Sequence, residues 1–253
     1  MSIVNTFSLQ SNRQIKINFD GGDLSSDAGL LLIKEFAAKI GFTKLIKKKF
    51  KTNDKSVRFH KDHENLLQMI YQVISAYFQD DCTDELTLDP VFHAVLDKES
   101  LASQPTLSRF FNRMDEDTLV QFDDIDKNLR DIIYSIKRPE HMLLDLDSTL
   151  FGTYGKQEGE GFNFHYQAHG YHPFLCYDGL TGDLIKAKLR DGTPHCYNGA
   201  DKFMESIFQE YLERGIKTYL RGDSGFATPE LCQAMRRKWN QLCHQTKRKQ
   251  QSP

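Results

Sequence analysis

The stretch Leu143-Leu-Asp-Leu-Asp-Ser-Thr149 is an apolar segment that becomes acidic at its end. Its pattern predicts a β-strand on which Asp145 and Asp147, two residues apart, share one face. Carboxylates at the end of a buried strand are costly unless they bind something. A hydrated divalent cation is a natural partner, since Mg²⁺ takes one or two protein carboxylates and completes its shell with water and phosphate oxygens. The stretch alone is equally typical of a turn or cap residue, and it predicts a metal site only if Asp223, another acid after an apolar strand, meets Asp147 there.

Predicted strands continue beyond it, separated by Gly-containing turns. A helix is expected over Ala200–Leu212, then a strand over Lys217–Leu220 that leads into Asp223, and Thr228-Pro-Glu230 is expected to cap a final helix. If the strands that lead to Asp147 and Asp223 are neighbours, the two carboxylates meet. The strands expected before the helix are Met142–Leu146, Phe162–Gln167, Phe174–Tyr177 and Leu184–Leu189.

The chain before this region is predicted to be mainly helical, after one short strand that contains Ile15 and Ile17. Apolar residues at helical spacing predict helices, of which Glu64–Phe78 is the clearest and Thr87–Leu96 is another. The domain boundaries that follow are 1–22 for an N-terminal strand or arm, 23–138 for a helical and DNA-binding region, 139–230 for a partial catalytic domain, and 231–253 for a basic tail.

The composition is that of a globular chain: of 253 residues, 39% are hydrophobic and 27% charged, which argues against disorder. No apolar run approaches the roughly 18 residues of a membrane span, and the first residues lack the pattern of a signal peptide. The five cysteines are scattered without a C-x-x-C, so we expect reduced thiols and no zinc ribbon. The cytoplasm is the expected compartment.

Charge is arranged in blocks although the net charge is only −2. Lys44–Lys61 holds eight Lys or Arg against one acid, which is typical either of a phosphate-binding surface or of a solvated helix end. Ser103–Met114 predicts a helix with two arginines, either the recognition helix of a helix-turn-helix or a helix packed in a bundle. The candidate DNA-binding residues are Lys47, Lys48, Lys49, Lys51, Arg58, Arg109 and Arg113.

Asp-Leu-Asp-Ser-Thr resembles the opening signature of haloacid-dehalogenase-like phosphatases, Asp-x-Asp-x-Thr. That resemblance implies a phosphoryl-accepting Asp145 and an acid/base Asp147. It also implies a doubly wound parallel sheet, whereas short strands and tight turns are expected here.

A larger group of motifs resembles the DDE transposases of insertion sequences, most closely the thirteen-eighty insertion-sequence family. The resemblance covers Asn18 to about Leu231. The motifs that carry it are Asp145–Thr149, Tyr166–Pro173, Leu175–Asp183, Arg190–Gly192 and Leu220–Phe226.

This resemblance implies an α+β fold, in which an N-terminal helical region precedes an incomplete RNase-H-like α/β domain. It implies catalytic Asp147 and Asp223, both ligands of Mg²⁺ or Mn²⁺, and leaves Asp145 as a further candidate. The implied partner is DNA, at the terminal inverted repeats of an insertion sequence in the bacterial cytoplasm. A homo-oligomer is left open and no membrane is involved.

The family's third acid, a Glu on a downstream helix, has no clear counterpart. After Asp223 the only acid is Glu230, and 231–253 carries six Lys or Arg with no acid. We expect either a tail foreign to the family, as a frameshift or premature stop produces, or a natural basic tail that contacts phosphates. The function predicted is therefore a DNA transposase in a truncated, inactive copy, with the phosphatase or a non-catalytic DNA-binding remnant as alternatives.

Overall fold

The computed structural model describes residues 6–19, 21, 25–79, 81–229, 231 and 242–245. The chain divides into two compact units, Met1–Ser135 and Ile136–Pro253. The helices among these residues include none with the length and apolar character of a membrane span.

The first unit contains a small antiparallel pair of strands and a set of helices. The predicted strand around Ile17 is β2, which pairs with β1 so that Phe7 lies opposite Ile17. The elements are β1 Thr6–Ser8, β2 Lys16–Asn18, α1 Leu30–Lys39, α2 Phe42–Lys49, α3 Asp62–Ile74, α4 Cys82–Leu86, α5 Pro90–Leu96, α6 Gln104–Phe111 and α7 Glu116–Ile136.

Two of the predicted helices have different limits in the structure. α3 ends at Ile74 rather than Phe78, because Ala76 has a φ of 64°, which a right-handed helix does not allow. Of the predicted helix Thr87–Leu96, only the second part is helical in the structure, as α5, which begins at Pro90. Asp89 caps α5 by accepting a hydrogen bond from the Val91 backbone, and Pro at the first position fixes this start.

Asp62 at the start of α3 organises the loop that precedes this helix. Its carboxylate accepts hydrogen bonds from the Thr52 backbone at 3.0 Å and the Thr52 hydroxyl at 2.7 Å, and it pairs with Arg113 at 3.0 Å and Arg58 at 3.5 Å. Burial by itself raises the pKa of Asp62, but the Thr52 bonds and Arg113 outweigh it, so the pKa lies below its usual value. The ionised carboxylate thus stabilises the fold.

We expect the first unit to lose stability as the pH falls below about 4, because Asp62 is more acidic in the folded than in the unfolded chain, where its pKa is about 3.9. Asp62→Asn should lower the free energy of unfolding by roughly 3 kcal/mol at pH 7. The variant should also lose less stability than the unaltered chain when the pH falls below about 4. Urea unfolding between pH 7 and pH 2.5 measures both. The control Asp124→Asn, which removes the half-exposed pair with Lys49, should cost at most about 1 kcal/mol.

The second unit is built on a mixed sheet with strand order β10-β9-β3-β7-β8. β7 runs antiparallel to both of its neighbours, β3 and β8, and β9, which follows α8, runs parallel to β3. The elements are β3 His141–Ser148, β4 Phe151–Gly152, β5 Gly161–Asn163, β6 Ala168–Tyr171, β7 Phe174–Asp178, β8 Leu184–Lys188, α8 Ala200–Glu213, β9 Lys217–Gly222, a 3₁₀ turn Ser224–Phe226 and β10 Leu242–Gln245.

This arrangement confirms the predicted fold class, α+β with an RNase-H-like sheet. Strands, then a helix, then a strand that leads to Asp223 are the order expected from the sequence, and the structure adds the strand directions. The doubly wound parallel sheet implied by the phosphatase resemblance is absent from the described residues, because β7 and β8 are antiparallel. On one face of the sheet, α8 buries Phe203, Met204 and Phe208, and Phe203 stacks on Phe174 with ring centroids 5.1 Å apart.

The predicted strand Phe162–Gln167 is wrong in its second half. β5 ends at Asn163, and Gln167 has a φ of 53°, so the chain turns and returns as β6, which was not predicted. β4, β6 and β5 form a separate three-stranded sheet. Its strands and the segment 190–194 approach at glycines: a Cβ on Gly192 would lie 2.0 Å from the Gly170 oxygen and 2.4 Å from the Gly161 oxygen. At these glycines, the backbones of the small sheet and of the segment 190–194 are in direct contact.

Candidate active site

Asp147 and Asp223 lie at adjoining ends of two neighbouring parallel strands. In the register of β3 and β9, Leu146 is opposite Gly222, and Asp147 and Asp223 are the residues that follow. Neighbouring strands are about 4.8 Å apart. Both aspartates are exposed, so their carboxylates are accessible at this end of the sheet.

The ion pair between Asp145 and Arg221 shows that the side chains of Asp147 and Asp223 share a face of the sheet. Asp145 lies opposite Arg221 in the same register, and the Arg221 Nε donates to Asp145 Oδ1 at 2.6 Å while its Nη2 donates to Oδ2. Asp147 and Asp223 each follow two residues later, and Asp223 keeps an extended backbone. Because side chains alternate along extended chain, all four side chains lie on one face.

Because of this ion pair, the carboxylates of Asp145 and Asp147 differ in how many of their oxygens are already engaged. Both oxygens of Asp145 are engaged by the Arg221 guanidinium in a bidentate pair. Asp147 instead accepts one bond from the Ser148 backbone at 2.8 Å, and Asp223 one from the Gly225 backbone at 2.9 Å, each through Oδ1. Asp147 and Asp223 therefore have the more available oxygens, whereas Asp145 is neutralised.

This donor set fits a hard divalent cation. Two carboxylates with available oxygens at one sheet end match the one or two that Mg²⁺ takes from a protein. Within the described part of the chain, no three His, Cys, Asp or Glu residues are grouped as a complete metal site. A cation held there would take its remaining ligands from water, from a bound molecule or from residues outside this part.

A cavity of about 330 Å³ opens beside Asp223. One wall is Asp223–Gly225, and Ser148, the neighbour of Asp147, lines another side. Tyr166 also lines it and donates from its hydroxyl to the Ser148 carbonyl at 3.2 Å. Burial, and then the charges of Asp147 and Asp223, raise the pKa of Tyr166, which places this ring within the field of both carboxylates.

Arg190 connects the walls of this cavity. Its guanidinium stacks over Phe174 at 3.5 Å and donates to the His172 carbonyl, the Asn198 carbonyl and Ser148 Oγ. It thereby fixes the end of β3 beside Asp147. In the sequence Arg190 belongs only to a motif that carries the family resemblance, and no local pattern indicates these contacts.

The structure divides the predicted DNA-binding residues into two groups. Lys49 pairs with Asp124 at 2.6 Å, Arg58 with Asp54 and Asp62, and Arg113 with Asp62. These three side chains are committed to the fold by acids that the sequence does not reveal as partners. The other four are exposed and, within the described ranges, form no ion pair: Lys47, Lys48, Lys51 and Arg109.

Glu230 and most of the predicted basic tail lie outside the described residues. Only the start of the predicted final helix is visible, where Thr228 Oγ1 accepts a hydrogen bond from the Leu231 backbone at 3.2 Å, as a cap does. Leu242–Gln245 forms β10, parallel to β9.

The chain belongs to the family Transposase DDE domain group 1, whose model matches residues 7–244. The match spans both units and extends past Leu231 into the basic tail 231–253. The family match therefore does not end where the composition of the chain changes. No curated protein matches the chain.

Solved transposase structures also resemble the chain at low identity. A piggyBac transposase synaptic complex with hairpin DNA matches at 15% identity and a TM-score of 0.39, over 90% of this chain and 52% of that one. The catalytic domain of Mos1 mariner transposase matches at 12% identity and a TM-score of 0.30, over 51% and 61%. A Mos1 paired-end complex with Mn matches at 12% identity and a TM-score of 0.28, over 88% and 69%.

Proposed function

We propose that this chain is the transposase of an insertion sequence and that Asp147 and Asp223 are its metal-binding catalytic carboxylates. The observation that carries the proposal is their placement at adjoining ends of β3 and β9, on the face marked by the Asp145–Arg221 pair. Membership of the DDE transposase family supports it. The proposed substrate is the DNA at the terminal inverted repeats of the element, in the bacterial cytoplasm, and the proposed family is the thirteen-eighty insertion-sequence family.

The chain's own residues give this site its charge and shape. Arg221 neutralises Asp145, which lowers the repulsion among three neighbouring aspartates. The backbone N–H groups of Ser148 and Gly225 orient Asp147 and Asp223. When bound, Mg²⁺ or Mn²⁺ supplies charge stabilisation to the attacking and departing oxygens of a phosphodiester.

We further propose that DNA phosphates contact the exposed lysines of α2 and the residues just after it. Replacing Lys47, Lys48 and Lys51 by Gln should lower the slope of log affinity against log salt by about 0.9 for each phosphate that a lysine no longer neutralises, at every DNA sequence. Lys49→Gln is the control, because Lys49 is engaged by Asp124. An unchanged slope in the triple variant would make this surface a solvated one.

We also propose that this chain by itself has little or no cleavage activity. Two aspartates hold one of two metal ions poorly, and Glu230 is the only acid in the sequence after Asp223. Glu230 follows Asp223 by only seven residues, which is too short a spacing for the long downstream helix that carries the family's third acid. A non-catalytic DNA-binding remnant is thus the second candidate function.

One experiment tests these alternatives. Labelled duplexes that carry the element's terminal repeats are incubated with the purified chain and Mg²⁺ or Mn²⁺. A retarded band without cleavage is the expected result. Cleavage that Glu230→Gln abolishes would show that Glu230 is the third ligand and that the chain is active, whereas neither binding nor cleavage would contradict the proposed function itself.

A further inference from the structure

The cavity beside Asp223 differs in chemistry from the metal-binding carboxylates at its edge. Its lining contains aromatic and imidazole rings together with small polar groups, and within the described residues it contains no Lys or Arg. Asp223 is the acidic residue among its lining residues. Because this lining holds rings and, among the described residues, no Lys or Arg, an uncharged, flat molecule with polar edges fits it better than a phosphate does.

The size and the exposed rings narrow the ligand to a single heterocycle. About 330 Å³ is at the lower limit of small-molecule pockets. Phe164 on its rim is 79% exposed, although a phenyl ring gains from burial, and it packs edge-to-face on Phe162 with centroids 5.2 Å apart. Tyr166 and His165 lie next to it in the lining. Exposed rings beside polar groups are what stack and read unpaired nucleobases.

The segment that presents these rings is held in place before any ligand binds. Asn163 is buried, and its Oδ1 accepts from the backbones of His165 and Tyr166, while its Nδ2 donates to the Gly192 carbonyl at 2.8 Å. Gln167 closes the turn by donating to the Phe164 carbonyl. Burial lowers the pKa of His172, so this ring is neutral at pH 7. The segment is thus preorganised, and His172 adds no charge to the pocket at pH 7.

We propose that this cavity binds one unpaired nucleobase of the DNA strand whose phosphate lies at Asp147 and Asp223. The inference rests on the proposed function, because Asp223 both lines this cavity and is one of the two proposed metal ligands. In this proposal Phe164 stacks on the base, and Ser148, Thr193 and His195 of the same lining supply polar groups for its edge.

The test measures the affinity of the chain for a DNA duplex with one unpaired 2-aminopurine at the 3′ end, against the same duplex with an abasic overhang, in Ca²⁺. Phe164→Ala should weaken binding of the 2-aminopurine duplex about 5- to 150-fold, the usual range for one base stacked on an aromatic ring. Binding of the abasic duplex should stay the same, and the fluorescence quenching seen with the unaltered chain should disappear. Tyr154→Ala is the control, because Tyr154 is 95% exposed and does not line the cavity.

The outcomes separate the pocket from the proposed function. If Phe164→Ala weakens both duplexes equally, or if 2-aminopurine is not quenched although the chain binds the duplex, the pocket does not bind a base and the transposase proposal stands. If the unaltered chain binds neither duplex, the proposed DNA substrate is wrong as well. Because Phe164 is largely exposed, its replacement should leave the fold intact, which circular dichroism checks.

Discussion

Asp147→Asn and Asp223→Asn should each weaken Mn²⁺ binding by about 100-fold or more. Groups that only support metal ligands already contribute 10- to 100-fold to affinity, so the loss of a direct carboxylate ligand should exceed the upper part of this range. An amide keeps the shape of the side chain and removes its charge. Titration of the chain with Mn²⁺, followed by electron paramagnetic resonance, measures the effect.

Two further variants show whether the effect is specific. Asp183→Asn alters an exposed carboxylate in the turn after β7, where it accepts from Thr181 at 2.8 Å, and should leave Mn²⁺ affinity unchanged. Asp145→Asn should reduce the affinity less than Asp147→Asn, since Asp145 is engaged by Arg221. A larger loss with Asp145→Asn than with Asp147→Asn would make Asp145 the ligand and contradict the assignment.

Gly192→Ala should destabilise the second unit by about 3 kcal/mol, the upper range for an overpacked site. The added Cβ would lie 2.0 Å from the Gly170 oxygen and 2.4 Å from the Gly161 oxygen, and both neighbours are backbone atoms that side-chain rotation cannot move away. The three-stranded sheet must then separate from the segment 190–194, which also carries Arg190. Urea unfolding gives the loss in free energy.

The matched control is Gly152→Ala in the same small sheet. A Cβ on Gly152 meets nothing within 4 Å, and its φ is in the ordinary range. We expect a change of no more than about 0.5 kcal/mol, as for most surface substitutions. Equal losses in the two variants would mean that the backbone contacts of Gly192 do not hold this sheet.

The positions of Asp147 and Asp223 were predictable because both follow apolar strands and the carboxyl ends of parallel neighbours meet. Their catalytic role stays a prediction. The neutralisation of Asp145 was not predictable, since it depends on a strand register with Arg221, 76 residues away. No local pattern in the sequence encodes such a pairing.

Distance along the chain also explains the incomplete prediction of the basic surface. Lys49 pairs with an acid 75 residues away and Arg113 with one 51 residues away. In the sequence both side chains therefore seem available to phosphates, whereas in the fold they are engaged in ion pairs. The missed strand β6 has a local cause: Gln167 adopts a positive φ that Gly or Asn more commonly adopts, and no turn residue marks the site.

The assignment of Asp147 and Asp223 as metal ligands can be tested by diffraction at the manganese absorption edge, from crystals of the chain grown with duplex DNA and Mn²⁺. We expect an anomalous peak at the ends of β3 and β9, within about 2.2 Å of one carboxylate oxygen of Asp147 and one of Asp223. A peak bound to Asp145, or manganese bound only away from these strand ends, would contradict the assignment.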